Sequence, residues 1–193
     1  QVMPGGATLR ETIAQRLDRF AYPPDVAAVR AELDVIRELI RKTARFTPAQ
    51  EQAIFAGLAG FAPGERLRFR SSGNVEDSES FTGAGLYDSY SGCLADDQDE
   101  DAAGPSRCDP TEPEERGVLR AMRRVYASFY NENAFLERLR LGVEESAAGM
   151  AMLVHESFPD EFELANGVIT VTRQTGSAYL TGAGDAKFIA CHQ

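Results

Sequence analysis

The sequence predicts an α+β fold, and three observations carry that prediction. Residues 8–61 place apolar side chains at helical spacing behind two capping boxes. Arg66-Leu67-Arg68-Phe69-Arg70 alternates charged and apolar residues, the period-2 mark of a strand with one buried face. After one long amphipathic helix, the chain from Ala148 onward reads as a succession of strand-length apolar runs. Helices first, then a mixed or antiparallel sheet with a long helix packed on it, is an order that suits a two-layer α+β domain.

Taken in turn, Thr8-Leu9-Arg10-Glu11 is a capping box that starts a helix running to about Phe20, with Leu9, Ile13, Leu17 and Phe20 on one face. Pro23 and Pro24 break it. A second helix is expected from Asp25 to Ala44, its buried stripe made of Val26, Val29, Leu33, Ile36, Leu39 and Ile40. Thr47-Pro48-Ala49-Gln50 is a second capping box with proline at the first helical position, launching a third helix towards Phe61. The Arg66 strand follows. Thr111-Glu112-Pro113-Glu114 marks a new start, and Val118, Met122, Val125, Phe129, Leu136 and Leu139 line one helix that ends near Leu141-Gly142. Arg120, Arg123, Arg124, Arg138 and Arg140 fall mostly on its other face and are read as solvated. Strands are expected at Ala148–Glu156, Gly167–Arg173, Ala178–Thr181 and Lys187–Cys191.

A length of 193 residues with 43% hydrophobic content is enough for one sizeable core or two small lobes, and residues 1–193 are read as one partial domain. No run of about 18 apolar residues and no charged-then-apolar leader occurs, so neither a membrane span nor a signal peptide is expected, and the cytoplasm is the default setting. The net charge of −10 argues against nucleic acid as a partner. That charge is concentrated: residues 95–116 hold five Asp, four Glu and two Arg, a net of −7. With few large apolar side chains to repay its ordering entropy, this stretch reads as an acidic, mobile loop. A calcium-binding or partner-binding strip is the alternative, without the ligand spacing or interior glycine of a calcium loop. Cys93, Cys108 and Cys191 show no CxxC spacing, and His155 and His192 are the only histidines, so no metal site is assigned. Free thiols are expected in preference to a Cys93–Cys108 bridge.

The stretch richest in chemistry is Arg68-Phe69-Arg70-Ser71-Ser72-Gly73-Asn74-Val75-Glu76-Asp77, followed by Phe81-Thr82-Gly83-Ala84-Gly85-Leu86-Tyr87-Asp88-Ser89. A guanidinium on a strand end gives two parallel hydrogen bonds to phosphate oxygens, and hydroxyls and glycine N–H groups add further donors. Taken alone, the same residues also fit a surface strand with solvated arginines and an ordinary glycine turn. Glu76 and Asp77 are adjacent, so they cannot share one strand face as an acid–base pair; bracing the phosphate loop suits them better.

The run from Phe69 to Asp77 resembles the RSS-x-x-x-ED signature of the nucleotide-binding domain of pyruvate phosphate dikinase, phosphoenolpyruvate synthase and their relatives. Ser80-Phe81-Thr82-Gly83 resembles the SFAG that follows it, and Ala84-Gly85-Leu86-Tyr87-Asp88-Ser89 is similar to the AGLYDS of glucan water dikinases. The segment from Val125 to Phe135 reads like the family's V-x-A-S-L helix. Gly149–Phe158 and Ala165–Thr172 resemble two of its strands, so the likeness covers about residues 66–173 in the family's order.

That resemblance implies an ATP-grasp fold, in which two α+β lobes sandwich ATP, and phosphoryl transfer from ATP to an acceptor through a separate phosphohistidine domain absent from this chain. Arg70 matches the arginine that contacts the transferred phosphate, with Ser71 and Ser72 beside it and Gly83 and Gly85 in the phosphate-side turn. Val154, His155 and Ser157 match the connection between lobes, where adenine meets mainly backbone. Magnesium is implied too, its ligands in a late strand expected beyond Gln193. Ala7 stands where the family's phosphate-gripping lysine is expected. Two further readings follow: a non-catalytic relative that keeps the fold as a binding or regulatory module, and an interaction domain acting through the acidic loop.

Overall fold

Thr8 and Thr47 close the two capping boxes that the sequence announces. Thr8 Oγ1 accepts from Glu11 N at 3.1 Å while Thr8 N donates to the Glu11 carboxylate at 2.7 Å. Thr47 and Gln50 repeat the exchange at 3.3 and 2.9 Å. The helices so started are α1 (Leu9–Leu17) and α3 (Pro48–Gly57). Both stop short of Phe20 and Phe61, because Phe20 N and Phe61 N bond back three residues to Leu17 O and Leu58 O in tightened last turns. Between them Asp25 caps α2 (Val26–Glu38), accepting from Ala27 N and Ala28 N. Val29, Leu33 and Ile36 of its stripe are fully buried, whereas Val26, expected among them, is exposed in the first turn. At Leu39 the α-helix gives way to a π-helical turn, Leu39–Thr43, closed by Ala44 N donating to Leu39 O at 2.8 Å. Ile40 and Ala44 stay buried across this widened turn.

The structure, a computed structural model, describes residues 7–75, 77–78, 81–82, 85–99, 103–157, 168–174 and 177–183; for 77–78, 81–82, 168–174 and 177–183 it describes the backbone alone. The chain divides into two compact units, Gln1–Ser157 and Phe158–Gln193. In the first, β1 (Leu67–Gly73) is the middle strand of an antiparallel sheet ordered β4-β1-β5, with β4 at Tyr90–Gly92 and β5 at Met150–Glu156. A small hairpin of β2 (Asp77–Ser78) and β3 (Phe81–Thr82) lies between β1 and β4 in the chain. Strand β1 runs past Arg70 because β5 keeps pairing with it, Ser71 opposite Met152, Ser72 opposite Ala151 and Gly73 opposite Met150. Leu67 and Phe69 are fully buried against Leu94 and against Val118, Ala121 and Val125 of α5 (Val118–Ser128). Burying each of these two side chains contributes about 1.5–3 kcal/mol. A second apolar cluster joins α1 and α2 to Ala127 and Phe135, so α5 is a wall of both.

The long helix expected from Val118 to Leu141 is two helices, α5 and α6 (Glu132–Arg140). They part at Asn131, the extended N-cap of α6 (ψ 142°), whose own N donates back to Ser128 O at 2.9 Å. Arg138, expected on a solvated face, is fully buried: its Nε donates to Glu145 at 2.6 Å and its guanidinium lies 3.9 Å from the Phe129 ring centroid. Arg120, Arg123 and Arg124 are half-buried rather than solvated.

The acidic stretch has a folded centre that its composition conceals. A short helix, α4 (Ala95–Gln98), buries Asp96, whose two carboxylate oxygens accept from Arg107 N at 2.8 Å and Arg116 N at 2.7 Å. Asp97 accepts from Val118 N and so caps α5, and a Cβ on Gly117 would come within 2.5 Å of the Asp97 carboxylate. Asp99 pairs with Arg107 at 2.8 Å and Asp109 with Arg66 at 3.0 Å. The fold around Asp96 brings Cys93 and Cys108 to a Cα separation of 6.4 Å and joins them in a disulfide, where free thiols were expected. Sequence spacing carries no sign of that approach, since carboxylate-to-amide bonds create it.

In the second unit, β6 (Val168–Gln174) and β7 (Ser177–Ala183) pair antiparallel from Val168 opposite Ala183 to Gln174 opposite Ser177. The strand expected at Lys187–Cys191 lies outside the described residues. Among the described residues no helix is long and apolar enough to cross a membrane.

Candidate functional site

Strand alternation sorts the candidate residues by face. Leu67 and Phe69 look into the core, so Arg68, Arg70 and Ser72 occupy the opposite face of β1. The register adds to that face the residues directly across β5: His155 beside Arg68, Leu153 beside Arg70 and Ala151 beside Ser72. Arg70, Ser72 and His155, far apart in the chain, therefore share one surface. Arg70 and Ser72 are exposed, and Leu153 is 59% exposed next to Arg70. Ser71 and Val154 fall on the core side, where Val154 packs with Met150 and Met152 against the Phe69 cluster. The His155 ring nitrogen Nδ1 sits 2.7 Å from Glu156 O, and Ser157 N donates to Arg66 O at 2.7 Å, closing the strand pair at its far end. Strand β5 is an edge of this sheet, so one side of its backbone is not bonded within it.

The electrostatics of the face are cationic. Arg68 is half-buried and donates to the Ser91 hydroxyl at 3.2 Å. Burial, and then the charges of Arg70, Arg66 and Arg116, lower its pKa below the ordinary arginine value. None of the face residues just named is a carboxylate.

Past Gly73 the strand end is clamped. Asn74 N donates to Gly149 O at 3.1 Å, its side-chain amide to Ala147 O at 2.9 Å, and its Oδ1 accepts from Gly149 N at 2.9 Å. The glycine turn is held from the other side. Gly85 has φ +79°, a conformation that a side chain resists. Asn131 donates to Leu86 O at 3.1 Å and to Asp88 at 3.4 Å, Tyr87 stacks on Phe129 with centroids 5.9 Å apart, and Arg138 reaches the Tyr87 hydroxyl at 3.4 Å. The segment from Val125 to Phe135 is thus the seat of the glycine turn. Gly83 lies outside the described residues, as does Glu76, and nothing is described of the Asp77 side chain.

Sequence reasoning picked out Arg70, Ser72 and His155, which the sheet brings together, and Ser71 and Val154, which it turns away. It assigned no role to Asn74, Asn131 and Arg138, the residues that fix the strand end and the turn. Their signal was present, since all lie in or near the motif runs, but an asparagine or arginine names no partner until the fold supplies one.

Arginine and hydroxyl donors sharing one strand face can bind an anion of the phosphate class. Consistent with that chemistry, the family model described as pyruvate phosphate dikinase, AMP/ATP-binding domain, matches residues 4–186.

Proposed function

Because the chain belongs to the pyruvate phosphate dikinase AMP/ATP-binding domain family, we propose that it is the ATP-binding portion of a dikinase-like phosphotransferase of the ATP-grasp type. The observation that carries this reading is the register of β1 on β5, which sets Arg70 and Ser72 on the same open face as His155. In this reading Arg70 is the catalytic cation. Its guanidinium grips the transferred phosphoryl group through two hydrogen bonds and offsets the charge that develops there, so catalysis rests on positioning and neutralisation. Ser72 and the turn at Gly85 add donors to the phosphates, while the outer backbone edge of β5, which bonds no other strand among the described residues, meets the base near His155. The acceptor is a phosphohistidine domain or substrate outside this chain, and neither nucleic acid nor a membrane takes part.

The donor set on this face suits phosphate and not a bare cation, for no carboxylate stands among the face residues described above. Magnesium is therefore given no protein ligand here, and no step is routed through it. The setting is the cytoplasm, although a disulfide such as Cys93–Cys108 is rare in that compartment.

Calorimetric titration with ATP, with and without magnesium, tests the reading. Binding is expected, and Arg70→Ala should weaken it about tenfold or more while the melting temperature of the nucleotide-free protein stays put. Unchanged affinity in that variant would remove Arg70 from the site. A non-catalytic binding or regulatory module is the second reading, favoured by Ala7 in place of the expected lysine; absence of ATP binding at millimolar concentration would select it.

A further inference from the structure

The centre of the acidic stretch places two sulfurs beside one buried carboxylate. Cys93 follows β4, Cys108 lies 15 residues further on, and Asp96 stands between them in α4. Asp96 Oδ1 is 3.5 Å from Cys93 Sγ and 3.7 Å from Cys108 Sγ, and the three ligand atoms lie within 4.8 Å of one another. Cys93 and Asp96 are buried and Cys108 is half-buried. Backbone amides hold the carboxylate independently of the sulfurs: Arg107 N donates to Oδ1 at 2.8 Å and Arg116 N to Oδ2 at 2.7 Å. Cys93 N donates to Arg116 O at 3.0 Å and pins the first cysteine. Three donor atoms thus converge on a point that bonds other than the S–S bond keep in place.

We propose that, once the Cys93–Cys108 bond is reduced, Cys93, Cys108 and Asp96 bind a thiophilic divalent cation of the zinc class. Thiolates and a carboxylate are ligands that such an ion takes, and two thiolates select it over magnesium or calcium. Reduced, the cluster brings up to three negative charges together in a buried place, and a divalent cation offsets them. With Zn–S near 2.3 Å and Zn–O near 2.0 Å, a tetrahedral ion sets sulfur and oxygen about 3.5 Å apart. The two sulfur-to-oxygen separations already match that edge. Sulfurs sharing such an ion stand about 3.8 Å apart. Rotation about the Cα–Cβ bonds spans that distance for cysteines whose Cα atoms are 6.4 Å apart. Asp96 Oδ1 keeps a lone pair for the ion after accepting from Arg107 N. The fourth position falls to water, and a cavity of about 660 Å³ that Asp96 helps to line admits both water and ion. Reduction by a dithiol breaks the S–S bond: two electrons and two protons pass to the cysteines, and the dithiol leaves as its own disulfide. The cation then displaces the two thiol protons, which go to solvent. Bond and ion alternate, and either one ties the end of β4 to Cys108. The site shares no residue with Arg70, Ser72 and His155, so it goes beyond the nucleotide reading above.

The test is titration of the full chain, reduced with a dithiol that is then removed under nitrogen, with cobalt(II), whose thiolate charge-transfer absorption reports sulfur ligation. The band is expected to saturate at one equivalent in the reduced chain and to be missing from the oxidised one. Cys93→Ser and Cys108→Ser should abolish it, Cys191→Ser should keep it, and Asp96→Asn should weaken binding about tenfold or more. Absence of the band in the reduced wild type, its persistence in Cys93→Ser, or unchanged affinity in Asp96→Asn overturns the proposal and leaves the pair a structural staple. Should a variant fail to fold, alkylation of the reduced wild type with and without zinc decides, read at each cysteine by mass spectrometry. Zinc that slows modification of Cys108 and not of Cys191 supports the site; equal rates with and without zinc refute it.

Discussion

Asp97 shows how a single carboxylate can order a segment and set its response to pH. Burial pushes its pKa up to about 6, against the pull of the Val118 and Leu119 amides that it caps. With the folded value above the unfolded one, the folded state holds the extra proton between about pH 4 and 6, so this group lowers stability as pH rises through that window. Asp97→Asn removes the titration. Between pH 7 and pH 5 the wild type should therefore gain stability relative to the variant by an amount on the order of 1–2 kcal/mol, read as the difference between their melting temperatures. A gap between the two that stays constant with pH would contradict the assignment. Nothing in the sequence flagged Asp97 among its acidic neighbours, because its role depends on Gly117 leaving room for the carboxylate. Arg70 was legible by contrast, since strand alternation alone fixes the face of a residue two places from Arg68.

At the scale of elements, the starts of helices were easier to read than their ends. Thr8, Asp25 and Thr47 cap through side chains adjacent in sequence, so local chemistry decides them. The break between α5 and α6 and the π-helical turn after α2 answer to distant partners, and periodicity ran straight through both. Arg138 is the clearest case. It sits between Glu145, Phe129 and Tyr87 and ties α6 to the glycine turn. Arg138→Ala leaves a void beside an unpaired carboxylate and should cost about 3 kcal/mol, seen as a lower urea midpoint. Arg138→Met, which keeps most of the volume, should lose less. Equal losses would show that charge pairing rather than packing holds α6.

At the scale of the whole molecule, the first unit contains both apolar clusters and all three strands of its sheet. A chain ending at Ser157 is expected to melt cooperatively within a few degrees of the full protein; a broad, non-cooperative transition would show that the second unit is needed for folding. The α+β class and the three leading helices before the Arg66 strand were legible at this scale, but the strand at Tyr90–Gly92, the short helix α4 and the division at Ser157 were not, since no proline-rich or glycine-rich linker marks the last. The placement of α5 in both clusters has a further consequence. Were the clusters backed by separate helices, either half could come apart and leave the other intact, and each could drift in sequence on its own. With one helix serving as the keel of both, loosening either side strips support from the other. A change that shifts α5 is thus felt on both sides, and the two clusters are expected to come apart together.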